Sequence, residues 1–194
     1  MGADWLTAIA TAGTFVVIAA SAVAALMQIR HMRSGNAISL LTAYNNEFDT
    51  QEFQLAFNYV RSVLPGRLQQ DDALDALAQA PPFVDEFAAI RTIANFFEDM
   101  GAFVFTRLLD RRIVCTLYAE NATSAWQSIA PVAALLREKL GAPAVWENFE
   151  YLAVLSEEFI NRYPGGLFPR SLRRMPVDQR LVERWRTRGQ AYVG

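Results

Sequence analysis

Five residues have the types and spacing to do chemistry. Arg91, Asn95 and Glu98 stand at i, i+4 and i+7, on one face of any helix that carries them, and Glu147 and Glu150 stand three apart further along. Helical bundles that bind two metals draw glutamates from facing helices but add Glu-x-x-His motifs, and His31 is the only histidine here. Carboxylates alone leave at most a weak Mg²⁺ or Ca²⁺ site, so neither metal nor cofactor is expected. The same residues suit a structural role better. A buried Arg91 paired with Glu98 or Glu150, with Asn95 filling the remaining hydrogen bonds, would lock helices in register. The alternative from another class is a membrane-tethered enzyme using this buried Arg/Asn/Glu cluster.

Other chemistries fall away on composition. Cys115 is the single cysteine, which excludes an intramolecular disulfide and a thiolate metal site, and its apolar setting reads as a small buried hydrophobe. One histidine removes most Ser-His-Asp arrangements. Pro164-Gly165-Gly166 lacks the following lysine and helix start of a phosphate cradle. No catalytic residue is therefore assigned, and no small-molecule substrate is identifiable.

The elements that position these residues begin with an anchor. Leu6 to Met27 is 22 residues without a charge, close to the roughly 20 that cross a bilayer core as a helix. Ala20-Ser21-Ala22 resembles a signal cleavage site, but Met1 to Trp5 holds no Lys or Arg, and the run exceeds an ordinary h-region. An uncleaved span is expected. Arg30, His31 and Arg33 after it, against Asp4 before it, place the N-terminus outside and the main domain in the cytoplasm. With arginine and alanine usage suggesting a high-GC genome, the expected location is a bacterial inner membrane. Thr7, Thr11, Thr14, Ser21, Ala25 and Gln28 recur at steps of three, four and seven, a stripe of small and polar side chains that would let another helix approach. The competing reading is that these hydroxyls bond back to their own i−4 carbonyls.

Beyond the span the chain reads as all-α. Ser34-Gly35-Asn36 is expected to break the exiting helix, with Asn36 capping a new one through Ile38, Leu41, Tyr44 and Phe48. Asp49 and Glu52 resemble a capping box for a helix that Pro65-Gly66 ends. A short helix is expected over 71–78. Phe83, Phe87, Ile90, Ala94, Phe97, Gly101, Val104 and Leu108 step by four and three without a miss, so this helix should form the centre of the domain. Ile93, Phe96, Met100 and Phe103 widen its apolar arc and imply neighbours on two sides. Asp110 should cap a helix through Tyr118 and Trp126, although residues 113–116 also suit a strand. Pro131 should kink or restart it, and Gly141 should end it. Pro143 should open a further helix carrying Val145, Trp146, Phe149 and Leu152.

Charge divides the rest. From Ser34 to Asn161 there are 17 acids against 8 bases, whereas Arg162 to Gly194 carries 8 arginines against Asp178 and Glu183. A last helix from about Val177 sets Leu181 and Trp185 against arginines. Arg173, Arg174, Arg180, Arg184 and Trp185 are thus candidates for contact with lipid headgroups, a partner or the acidic body. Nucleic acid is not an expected partner, because no recognised module accompanies the arginines.

The pattern Arg91-x-x-x-Asn95-x-Phe97-Glu98-x-x-Gly101, then Trp126, Pro131 and Arg137, then Trp146-x-x-Phe149-Glu150-x-Leu152, resembles a family of small bacterial proteins built on a domain of unknown function. The likeness covers about residues 38 to 160. It implies one N-terminal span with a helical cytoplasmic part, and no activity. The expected organisation is an anchor with basic flank (1–33), an irregular helical bundle (34–163) and an Arg-rich tail with a short amphipathic helix (164–194). The expected function is a subunit, scaffold or regulator of a membrane assembly. It would act through protein contacts, with the lipid bilayer and a second copy or membrane protein as partners.

Overall fold

A computed structural model of the chain describes residues 2–70, 85–176 and 178–190. The fold is all-α. Among the described residues there are seven α-helices and no strand: α1 Gly2–Phe48, α2 Gln51–Asn58, α3 Leu64–Arg67, α4 Asp85–Phe105, α5 Arg111–Leu140, α6 Glu147–Arg162 and α7 Gln179–Gln190. Residues Met1–Arg162 form one compact unit and Tyr163–Gly194 a second.

In α1, Thr11–Ile29 is long and apolar enough to cross a membrane, with a mean hydropathy of 2.0 and none of it buried. The break expected at Ser34-Gly35-Asn36 does not occur, and α1 runs through it as one helix of 47 residues. Each breaker costs about 1 kcal/mol or less in a helix interior. Packing of Ala37, Leu40, Leu41, Tyr44 and Phe48 on the core, on the same helix, outweighs that.

The next cap is Thr50, not Asp49: its hydroxyl accepts from the Phe53 N–H at 3.2 Å, while the Gln54 side-chain amide donates to the Phe48 carbonyl at 2.6 Å and closes the end of α1. Pro65 does not end the following helix. A π-turn over Tyr59–Val63 lies just before it, and α3 continues to Arg67. The wider turn accommodates a residue that offers no N–H and whose ring crowds the carbonyl four residues back. The short helix expected over 71–78, and Phe83, lie outside the described residues.

Helix α4 is the centre. Phe87, Ile90, Ala94, Phe97, Gly101 and Val104 are buried along its seam, with Ile93, Phe96 and Met100 buried beside them. Leu108 falls past the helix end and is exposed. One side meets α1 and α2, where Phe96 packs on Tyr44 and Phe53 with ring centroids 5.1 and 4.6 Å apart. The other side meets α6. Asp110 caps α5 by accepting from the Arg112 and Ile113 N–H groups at 2.8 and 3.2 Å, so residues 113–116 are helical. Helix α5 runs through Pro131 as one element and closes at Gly141, whose φ of 60° satisfies the Arg137 and Glu138 carbonyls.

The second unit holds its own small contacts. The Arg174 guanidinium donates to the Gly165 carbonyl at 3.2 Å and stacks 4.7 Å from the Phe168 ring, and Asp178 accepts from the Arg180 N–H. In α7, Leu181 and Trp185 are exposed, as are Arg180 and Arg184; Arg173 is exposed in the loop before it.

Candidate functional site

The polar cluster and its aromatic companions meet where α4, α5 and α6 converge. The geometry follows from one close approach. A Cβ on Gly101 would stand 2.0 Å from the Asn148 carbonyl oxygen, so only glycine lets the α6 backbone lie against α4 there. Directly beside it, Glu98 on α4 accepts from the Asn148 side-chain amide and from the Phe149 N–H, both at 2.8 Å. Its carboxylate therefore caps the first turn of α6 from a neighbouring helix. Negative charge there is favoured both by the unpaired N–H groups and by the helix dipole.

One turn back, Asn95 accepts from the Trp146 indole N–H at 3.1 Å. Trp146 is in the left-handed region at φ 54°, an uncommon conformation for a bulky residue. It follows that α6 starts at Glu147, and Pro143–Trp146 is a turn instead of the helix start that Pro143 suggests. Below the polar layer, Phe97 stacks on Phe149 at 5.1 Å and 18°, and Trp126 of α5 meets the same ring edge-on at 5.0 Å.

Arg137 closes the third side. Its Nη1 lies 2.7 Å from the Glu150 carboxylate, its Nε donates to the Val145 carbonyl at 2.9 Å, and its guanidinium sits 5.8 Å from the Trp126 ring centre. Of the two carboxylates considered for Arg91, Glu150 is thus paired with Arg137, and Glu98 accepts from Asn148 and the Phe149 N–H. Arg91 is half-buried one turn before Asn95, and Glu147 is exposed at the head of α6. The structure brings Asn95, Glu98 and Glu150 into one joint. Arg137, Trp126, Trp146, Asn148 and Gly101 complete it, residues that the sequence did not mark as part of the polar cluster. The available signal was Gly101, an isolated glycine inside an apolar helical seam, which marks close approach of another backbone.

An open cavity of about 940 Å³ lies elsewhere, bordered by Ala37, Ile38 and Leu41 of α1, the residues from Val104 to Val114 except Thr106 and Arg112, and Tyr151. None of the five cluster residues borders it. Cys115 is buried nearby on α5; burial pushes its thiol up, opposed by the neighbouring Ser156 side chain and the charge of Arg111. Among the described residues no group of three His, Cys, Asp or Glu side chains gathers to hold a metal.

On the apolar segment, the Ser21 hydroxyl donates to the Val17 carbonyl at 2.8 Å, so it is satisfied within its own helix. Thr11, Thr14, Ala25 and Gln28 are exposed around it; the side chain of Thr7 lies outside the described residues. A shallow groove of about 600 Å³ on another face runs past Ala19, Ala20 and Ala24 between Phe15, Val23 and Met27.

No curated protein and no solved structure matches the chain. The family model described as a domain of unknown function, DUF4760, matches residues 15–155, a stretch that takes in most of the apolar segment and the whole of the α4–α5–α6 joint. The chain belongs to the DUF4760 family.

Proposed function

We propose that this is a single-pass protein of a bacterial cytoplasmic membrane, N-terminus outside and helical body in the cytoplasm, acting through protein contacts as a subunit, scaffold or regulator of a membrane assembly. One observation carries the reading. The apolar segment of α1 is wholly uncovered by the rest of the chain, yet it continues unbroken into residues that pack on the core. Lipid is the natural cover for such a surface, and a helix so placed ties any neighbour in the bilayer to the body below it. The polar cluster supports the same reading, because Asn95, Glu98 and Glu150 are engaged by Trp146, Asn148, the Phe149 N–H and Arg137.

Cross-linking in native membranes, followed by gentle detergent extraction through a tag on the cytoplasmic end, is expected to recover a homo-oligomer or a constant partner. Recovery as a monomer alone would overturn the proposal. Replacing Thr11, Thr14 and Ser21 by leucine separates interface from anchor: cross-links are expected to vanish while the protein stays in the membrane fraction.

A further inference from the structure

We infer that the tip formed by the α4–α5 turn docks the helical body onto anionic headgroups of the bilayer that α1 crosses. This rests on α1 being a span, and adds a lipid contact to the protein contacts proposed above.

Placement comes first. Helix α4 runs antiparallel to the last turns of α1: Tyr44 meets Phe96 and Phe103, and its hydroxyl donates to Asp99, whereas Ala37, Ile38 and Leu41, nearer the apolar segment, face Val104 to Val114. The end of α4 and the start of α5 therefore lie at the end of the body that faces the apolar segment. From Ile29, where the apolar window closes, to Ala37 is eight residues, or about 12 Å along a helix. The headgroup layer occupies roughly 5 to 7 Å of that, leaving about 5 Å for side chains to cross.

The chemistry of the tip matches that zone. Phe105, Leu108 and Ile113 are 67, 43 and 51% exposed, a cluster of large apolar side chains left largely uncovered, with only Phe105 resting edge-on against Tyr151. Arg107, Arg111 and Arg112 surround them, exposed, and none is held in an ion pair among the described residues. The one acid of the tip, Asp110, has its carboxylate committed to the cap of α5. Three of the 8 bases in an otherwise acidic stretch are thus gathered at the end that faces the bilayer. Arg107 sits at φ 59°, in a closing turn where Leu108 and Leu109 N–H groups bond the Phe103 carbonyl, a position that favours glycine. Arginines on phosphates with apolar neighbours sunk between headgroups satisfy both sets of side chains at once.

The test uses the full chain in lipid nanodiscs, either zwitterionic or containing phosphatidylglycerol, with a headgroup nitroxide quencher. A fluorophore is placed by Leu108→Cys, or by Leu140→Cys at the far end of α5, in a Cys115→Ala background whose helical spectrum is checked first. Strong quenching is expected at position 108 in anionic discs, reduced in zwitterionic discs, and none at 140. Adding Arg107→Gln, Arg111→Gln and Arg112→Gln should bring position 108 down to the level of 140 with the spectrum and disc association unchanged. Equal quenching at the two positions, or no dependence on anionic lipid, overturns the inference. Failure of the protein to enter discs at all overturns the span, and this contact with it.

Discussion

At Gly101 the missing side chain is the functional group. An alanine there would drive its methyl into the Asn148 carbonyl, a backbone atom that no rotamer change can move. Gly101→Ala is expected to lower stability by about 1 to 3 kcal/mol, as overpacking does, and to lower the melting temperature by several degrees in a thermal scan. Glu98 is the complementary case, because removing it leaves the Phe149 N–H and the Asn148 amide without their acceptor. Glu98→Ala should cost about 1 to 3 kcal/mol, and Glu98→Gln less, since one oxygen remains to accept. The Arg137–Glu150 pair is partly exposed and should contribute little by itself, about 1 kcal/mol or less. Arg137→Ala nevertheless removes the bond to the Val145 carbonyl and the cover on Trp126, so it should exceed Glu150→Ala in a melting comparison.

Among the elements, the sequence made α4 legible because a single face carries its burial, and a period near 3.6 survives in the residue order. Asp110 and Gly141 were legible as ends because each acts on its own backbone. What could not be read is where several weak local signals compete with packing. Ser34-Gly35-Asn36 breaks helices in isolation, and the burial of Tyr44 and Phe48 that overrides it is invisible in a local window. Trp146 sits in an apolar run and reads as helix; in the fold it takes a left-handed turn and gives its indole N–H to Asn95, 51 positions away. Arg137 could not be matched with Glu150 for the same reason: both lie at α-helix ends joined by a turn whose shape only the fold decides. Gly35 gives a test at this scale. It lies mid-helix with open space where a Cβ would go, so Gly35→Ala should stabilise by about 0.5 to 1 kcal/mol and raise helicity by circular dichroism. A destabilised variant would mean the helix does break there.

For the whole molecule, two tyrosines fasten α1 to the body. Burial first, then the charges of Asp99 and Glu47 and the hydrogen bond to Asp99, push the Tyr44 hydroxyl up from 10.0 to about 12. Tyr118, bonded to Asn45, is pushed up to about 12 by burial and then by Asp49. Both folded values exceed the unfolded one, so the folded state holds these protons more tightly. Their stabilisation is complete below pH 10 and is lost as pH rises toward 12. Unfolding should steepen across that window, and Tyr44→Phe with Tyr118→Phe should flatten the pH dependence. Tyrosine absorbance that titrates with an ordinary midpoint in the folded protein would refute it.

The unbroken helix from Gly2 to Phe48 also has an angular meaning. With no hinge between the apolar segment and the residues keyed into the core, the azimuth of every face of that segment is geared to the azimuth of the body. One alanine inserted after Ser34 turns one against the other by about 100°, while seven nearly restore the phase, to within ~20°. Cross-linking between neighbours should therefore rise and fall with the number of inserted residues, in step with the helical period. A yield that declines smoothly with length would mean that the two ends swivel freely.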